Sequence, residues 1–283
     1  MATIQAQETD RPPLGRDDVL VEPEWLREHL SDPGVRLVEV DVSAAAHAAG
    51  HIPGAVLWNV YADLKDAGYA TVDALAFQEL VRRSGITPDS TVVCYGYAPA
   101  MGVWLLRLFG HRDARVLNCS RNEWVAAGGS LTAETAPVRA TGYVLSPEDA
   151  RIRATLAGVR TGIDDPAVTI VDVRSDAEFR GDAFWPSGGQ EPGGRAGHVP
   201  GARHLRIDTV LDERGRFGDP AALRRLFAEL PADGPVLTYC TVGGRASTVW
   251  FVLTHLLGRP GVAVYDGSWA EWGRDPATPV ARS

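Results

Sequence analysis

Gly197-His198-Val199-Pro200-Gly201-Ala202 repeats, with valine in place of isoleucine, the earlier stretch Gly50-His51-Ile52-Pro53-Gly54-Ala55. Outward from each copy the correspondence continues. A β-branched run precedes it, Arg36-Leu37-Val38-Glu39-Val40-Asp41 in one case and Thr169-Ile170-Val171-Asp172-Val173-Arg174 in the other. A helical pattern and a further strand follow, ending in Cys94-Tyr95-Gly96 or Thr238-Tyr239-Cys240. Then comes a Trp-containing amphipathic helix, Val103 to Phe109 or Val249 to Leu257, and a closing segment, Val116 to Trp124 or Val264 to Trp272. Ordered matches at similar spacing mark a duplicated domain. Short β-branched strands alternating with helices give each copy an α/β fold, a parallel sheet flanked by helices. The expected units are residues 17–134 and 148–280, joined by a linker over 135–147 that carries Pro137, Gly142 and Pro147. The histidines of the two Gly-His-x-Pro-Gly-Ala turns, His51 and His198, are expected to fix the turns by hydrogen bonds, because both copies have one.

Composition narrows the function classes. A net charge of −8 and the absence of any arginine or lysine block argue against nucleic-acid binding. No apolar stretch approaches the length of a membrane span, and the polar start, Met1 to Arg16, lacks the apolar core of a signal peptide. The three cysteines, Cys94, Cys119 and Cys240, show no Cys-x-x-Cys spacing, which fits a reducing, cytoplasmic setting and offers neither a disulfide framework nor a metal site. No organic cofactor is called for.

The copies differ where chemistry should differ. Cys240 stands where a hydrophobic strand ends and the loop Thr241-Val242-Gly243-Gly244-Arg245-Ala246 begins, ahead of a helix read from Thr248. Backbone N–H groups of such a loop and the positive end of the helix favour a thiolate. Gly243 and Gly244 permit the tight curl, and Arg245 adds a full positive charge. Aligning Tyr95 with Tyr239 puts Gly96 opposite Cys240, so the first copy lacks the nucleophile and is expected to form a wall of the cleft. Cys94 and Cys119 read as structural. Asp172 and Arg174 read as a strand-end pair, with Arg174 also a cleft candidate, and Ser247 reads as a helix cap. The Gly/Pro-rich stretch 180–195 has no counterpart in the first copy and reads as a cover or binding loop.

These motifs resemble the rhodanese family of tandem-domain sulfurtransferases, in which the first domain is inactive and the second carries the catalytic cysteine. The likeness rests on both Gly-His-x-Pro-Gly-Ala turns, the Cys240 loop and Tyr265-Asp266-Gly267-Ser268-Trp269-Ala270-Glu271-Trp272. The stretch Trp250 to Gly258 is similar to actinobacterial thiosulfate sulfurtransferases. The resemblance implies that Cys240 takes a sulfane sulfur from thiosulfate or a related small anionic donor. It would hold that sulfur as a persulfide and pass it to cyanide, a thiol or a protein acceptor. Substrate-binding roles are expected for Arg245, Thr241, Val242, Gly243, Gly244 and Ala246, with Arg195 and Arg174 as secondary candidates.

Alternatives stay open at this point. The loop matches neither the Cys-Gly-Ser-Gly-Val-Thr form of mercaptopyruvate enzymes nor the Cys-Arg-Lys-Gly form of thiosulfate enzymes. Glu178 stands where the mercaptopyruvate branch has an arginine, and Arg195 or Arg203 would have to substitute. A persulfide carrier serving a biosynthetic pathway is a further reading, and so is a non-enzymatic binding module. Cysteine phosphatases and arsenate reductases use the same thiolate and arginine with five residues between them. Here four intervene, a smaller cradle suited to sulfur.

Overall fold

The computed structural model describes residues 16–282, so the polar stretch from Met1 to Gly15 lies outside the described residues. The first copy forms a sheet from β1 (Leu20–Val21), β2 (Val35–Asp41), β3 (Val56–Asn59), β4 (Thr91–Gly96) and β5 (Ala114–Leu117), in the order β1-β5-β4-β2-β3. The second uses β6 (Arg153–Ala154), β7 (Thr169–Asp172), β8 (Arg203–His204), β9 (Val236–Tyr239) and β10 (Val262–Tyr265), in the order β6-β10-β9-β7-β8. Every pairing in both sheets is parallel. The two five-stranded sheets therefore repeat one topology, the tandem α/β architecture expected above. β7 is buried at all its positions, as strands of a parallel sheet covered on both faces are, and its buried Asp172 is paired with Arg174.

The repeated turn does the same work twice. Gly54 and Gly201 take φ of 82° and 75°, and the chain then enters β3 or β8. The His51 N–H donates to Thr132 O and the His198 N–H to Ala281 O, both at 2.9 Å. The imidazoles bond backbone carbonyls, His51 Nδ1 to His47 O and His198 Nδ1 to Phe179 O. Tyr95 and Tyr239 accept from the next backbone N–H, that of Ile52 or Val199, each at 3.1 Å. Both histidines are thus turn-fixers.

The expected amphipathic helices come out differently. The first is the helix Pro99–Leu108, buried on almost every face. The second begins at Gly244, four residues before its expected start at Thr248, and its last turn, Val252–Leu256, widens to a π-helix. A helix buried all round lies between two layers, and one core cluster here runs from Val40, Cys94 and Trp104 through to Val249, Trp250 and Val264. The two copies share a core, so their helices have no outer face. Polar clasps reinforce the contact: Trp104 Nε1 donates to Ile152 O at 3.0 Å and the Phe217 N–H to Asn118 Oδ1 at 2.9 Å. Residues 133–149 form neither helix nor strand and are tied to the first copy by Tyr143, whose hydroxyl meets His111 Nδ1 at 3.0 Å. No helix among the described residues is long and apolar enough to cross a membrane.

Candidate active site

Cys240 directly follows β9 and is 1% exposed. The Gly243 N–H donates to its Sγ at 3.1 Å. Among the described residues no other loop amide hydrogen-bonds the sulfur, and the helix begins at Gly244. Gly243 has φ of +91°, and a methyl group there would lie 3.0 Å from Asp266 O. The loop is held from behind by the segment after β10. The Cys240 N–H donates to Ser268 Oγ at 3.1 Å, the Trp269 N–H to Cys240 O at 3.0 Å and the Ala270 N–H to Thr241 O at 2.9 Å. Ser268 pays for this with a left-handed φ of 53°. Gly243→Ala is expected to lose about 1–2 kcal/mol of stability from the backbone conformation alone. It should also change the rate of Cys240 alkylation, and denaturant melts with mass-mapped iodoacetamide labelling check both.

Arg245 does not stand free at the lip. Its guanidinium forks onto Glu178, NH1 to Oε2 at 2.8 Å and NH2 to Oε1 at 2.7 Å, and also reaches Thr241 Oγ1 at 2.6 Å. Thr241 donates in turn to Glu178 Oε1 at 2.5 Å. Burial on its own would raise the Glu178 carboxyl, but the hydrogen bond and charge of Arg245, with Thr241 and the Ser175 N–H, hold it at about 2. Burial lowers Arg245, yet Glu178 and then the charge of Cys240 raise it above its ordinary value. The expected lone cation beside the thiol is one half of a buried ion pair. The Glu178 carboxylate is neutralised by the same contact.

A cavity of about 30 Å³ opens beside Cys240, lined by Thr241, Val242, Gly244 and Arg245 from the loop, Tyr61 and Tyr97 from the first copy, and Trp185 and Pro186 from the inserted stretch. Tyr97 is 59% exposed, so the first copy supplies the rim. Trp185 sits edge-on to Tyr69 with ring centroids 5.1 Å apart, and its Nε1 donates to Glu191 Oε2 at 3.0 Å. Tyr69 and Ser268, the two non-glycine residues with positive φ among the described residues, both border this region. Such a space admits an added sulfur atom and excludes a bulky aryl or sugar phosphate.

Both copies match the family described as Rhodanese-like domain, at residues 22–127 and 155–275. The chain belongs to the rhodanese family. SseA of Mycobacterium bovis, provisionally named a thiosulfate sulfurtransferase, is 40% identical over 92% of this chain and 90% of its own. The sulfur carrier protein TtuD of Thermus thermophilus is 37% identical over 94% of this chain and 97% of its own. These relatives associate the chain with sulfur transfer. The anaerobic ergothioneine biosynthesis enzyme of Chlorobium limicola superposes with a TM-score of 0.83 over 94% of this chain and 70% of that one. At 21% identity it demonstrates the fold alone.

Within this rhodanese several expected site residues lie elsewhere. Arg195 is not in the cleft: it donates to Trp272 O at 3.0 Å, Gly273 O at 3.2 Å and Thr278 O at 2.7 Å, clamping the C-terminal segment whose carbonyls lack strand partners. Arg174 is fully buried, bonded to Asp172 at 2.7 Å with its guanidinium 4.5 Å from the Trp269 ring, so it braces the strand end. Arg203 NH1 is taken by Glu229 O. Ser247 is no N-cap, because the helix starts before it, and its hydroxyl donates to Gly243 O at 2.9 Å. Ala246 is buried, its carbonyl accepting from Thr238 Oγ1 at 3.2 Å. Burial raises the thiols of Cys94 and Cys119, the latter to about 12, which keeps both inert at neutral pH. Tyr61, Tyr97 and Trp185 were not anticipated at the site. Their nearest sequence signal is the inserted loop for Trp185.

Proposed function

We propose that this protein is a thiosulfate sulfurtransferase in which Cys240, within residues 148–280, is the catalytic nucleophile and residues 17–134 form an inactive companion domain. The Cys240 thiolate attacks the outer sulfur of thiosulfate. A bond forms between Sγ and that sulfur, the bond to the sulfonate group breaks, and sulfite leaves with the electron pair. A thiolate or cyanide then attacks the outer persulfide sulfur, and Cys240 departs as thiolate. The observation that carries the reading is a thiol at a helix N-terminus, with the Gly243 N–H on its sulfur, in a cavity of about 30 Å³.

Thiosulfate, with fewer heavy atoms, suits a cavity of about 30 Å³ better than mercaptopyruvate with its three-carbon skeleton. The phosphatase alternative is disfavoured by spacing, since four residues and not five separate Cys240 from Arg245. The name of TtuD, sulfur carrier protein, favours a second reading in which the acceptor is a protein thiol. Three free cysteines accord with a reducing, cytoplasmic setting for either. The test is intact-protein mass after incubation with thiosulfate: a gain of about 32 Da mapped to Cys240 is expected. No adduct with thiosulfate, mercaptopyruvate or polysulfide would remove the enzyme reading, and a persulfide discharged only to protein thiols would favour the carrier.

A further inference from the structure

We propose that residues 185–194 form a latched gate beside Cys240, and that the latch decides whether a bulky sulfur acceptor reaches the persulfide. This rests on the reading of Cys240 as the nucleophile. The cavity at the thiol has about the space of one water molecule, so the outer sulfur of a persulfide fills it. Tyr61 and Tyr97 line it and are exposed, and a nucleophile of a few atoms can approach from their side. A thiol carried on a peptide or a protein needs a wider opening. The cysteine loop is braced from behind by Ser268, Trp269 and Ala270 and does not give way. The wall made by Trp185 and Pro186 is the one that can be drawn back.

Residues 185–194 form neither helix nor strand, and their backbone bonds close the stretch on itself. The Phe184 N–H donates to Gly189 O at 2.7 Å, the Gly188 N–H to Trp185 O at 2.9 Å and the Gly194 N–H to Glu191 O at 2.8 Å. A loop closed in this way is a compact unit. Its two ends are anchored, since Phe184 is fully buried and the Arg195 N–H donates to Gly273 O at 2.9 Å. Between them Gly188, Gly189 and Gly193 stand in open space, so packing does not hold the far side. The contacts that keep the gate shut run through Glu191 and Arg274. Glu191 Oε2 accepts from Trp185 Nε1 at 3.0 Å, and Oε1 pairs with Arg274. Arg274 continues to the first copy: its guanidinium lies 4.7 Å from the centre of the Tyr69 ring, and NH1 donates to Gly68 O at 3.4 Å. Trp185 meets the same ring edge-on. Tyr69 is held there at φ of 65°, a left-handed conformation that tyrosine rarely adopts. Its hairpin enforces this, the Tyr69 N–H donating to Asp66 O and the Ala70 N–H to Asp66 Oδ1. A strained residue where the gate meets the first copy marks a working contact.

Glu191→Ala removes the bonds to Trp185 and Arg274 and leaves the cysteine loop untouched. Alkylation mapped to Cys240 by mass is followed with iodoacetamide and with a maleimide carrying a long polyethylene glycol chain. Glu191→Ala should raise the rate with the polymer reagent about tenfold and keep the iodoacetamide rate within about twofold of the parent's. Arg274→Ala should do the same, and the double variant should add little, because each change opens one latch. A ratio of the two rates that stays at the parent's value in both variants overturns the proposal. So does an equal rise of both rates, which means general loosening. Loaded with thiosulfate, both variants should favour glutathione over cyanide as acceptor more than the parent does, and an unchanged preference overturns the proposal as well. The alkylation readout needs no sulfur transfer. A raised ratio without any persulfide supports the gate and counts against the sulfurtransferase reading, and a persulfide with an unchanged ratio does the reverse.

Discussion

Cys240→Ser is expected to fold as the parent does and to lose persulfide formation and sulfur transfer by at least about a thousandfold. The oxygen is smaller than sulfur and can still accept from the Gly243 N–H, so the loop and its braces at Ser268 and Trp269 remain. What disappears is the sulfur nucleophile. A serine hydroxyl beside this helix terminus stays protonated, and a neutral hydroxyl does not displace sulfite. The other thiols offer no bypass, since Cys94 and Cys119 are buried and raised far from neutral pH. Sulfite release, intact mass and the thermal midpoint should be measured on the same preparation. Turnover in Cys240→Ser near the parent's level, with the fold preserved, would transfer the nucleophile's role to another group.

The second large effect falls on Glu178. Glu178→Gln is expected to destabilise the protein by about 3 kcal/mol at pH 7, because it leaves the Arg245 guanidinium largely buried without its carboxylate. The acid limb should change as well. Glu178 is held at about 2 in the folded chain against an ordinary 4.5, so the unfolded chain binds its proton first. Its contribution is complete above the ordinary value and is lost as pH falls from about 4.5 towards about 2. Urea unfolding between pH 7 and pH 2.5 should show a steep acid loss in the parent and a shallower one in Glu178→Gln. Equal stability at pH 7 with identical acid slopes would mean that the pair contributes nothing net.

Glu178 also illustrates what is legible in a sequence. Ser175 and Glu178 have the spacing of a capping box, and the structure forms it: Ser175 Oγ accepts from the Glu178 N–H and Glu178 Oε2 accepts from the Ser175 N–H. That local role needs only neighbours in the chain. Its second role, neutralising Arg245, spans 67 residues and depends on β7 and β9 lying side by side. Reading Arg245 as a free cation failed for this reason. The extra reach given to Arg195 and Arg174 failed likewise, since carbonyls of the C-terminal segment hold Arg195, while Asp172, Gly197 O and the Trp269 ring hold Arg174.

The sequence by itself determined the duplication, the parallel α/β class, the turn-fixing histidines and the strand-to-helix position of Cys240. Strand and helix periodicity, glycine turns and caps are short-range effects, written in consecutive residues and repeated here in two copies. Only the tertiary structure decided the electrostatics of the site. The net charge felt by a buried thiol is a sum over groups that packing brings near: Glu178, 67 residues away in the chain, cancels Arg245. In a low-dielectric interior such pairings outweigh anything the loop sequence specifies alone. The Trp185 wall and the Tyr61 and Tyr97 rim are decided in the same way, by how the two copies dock.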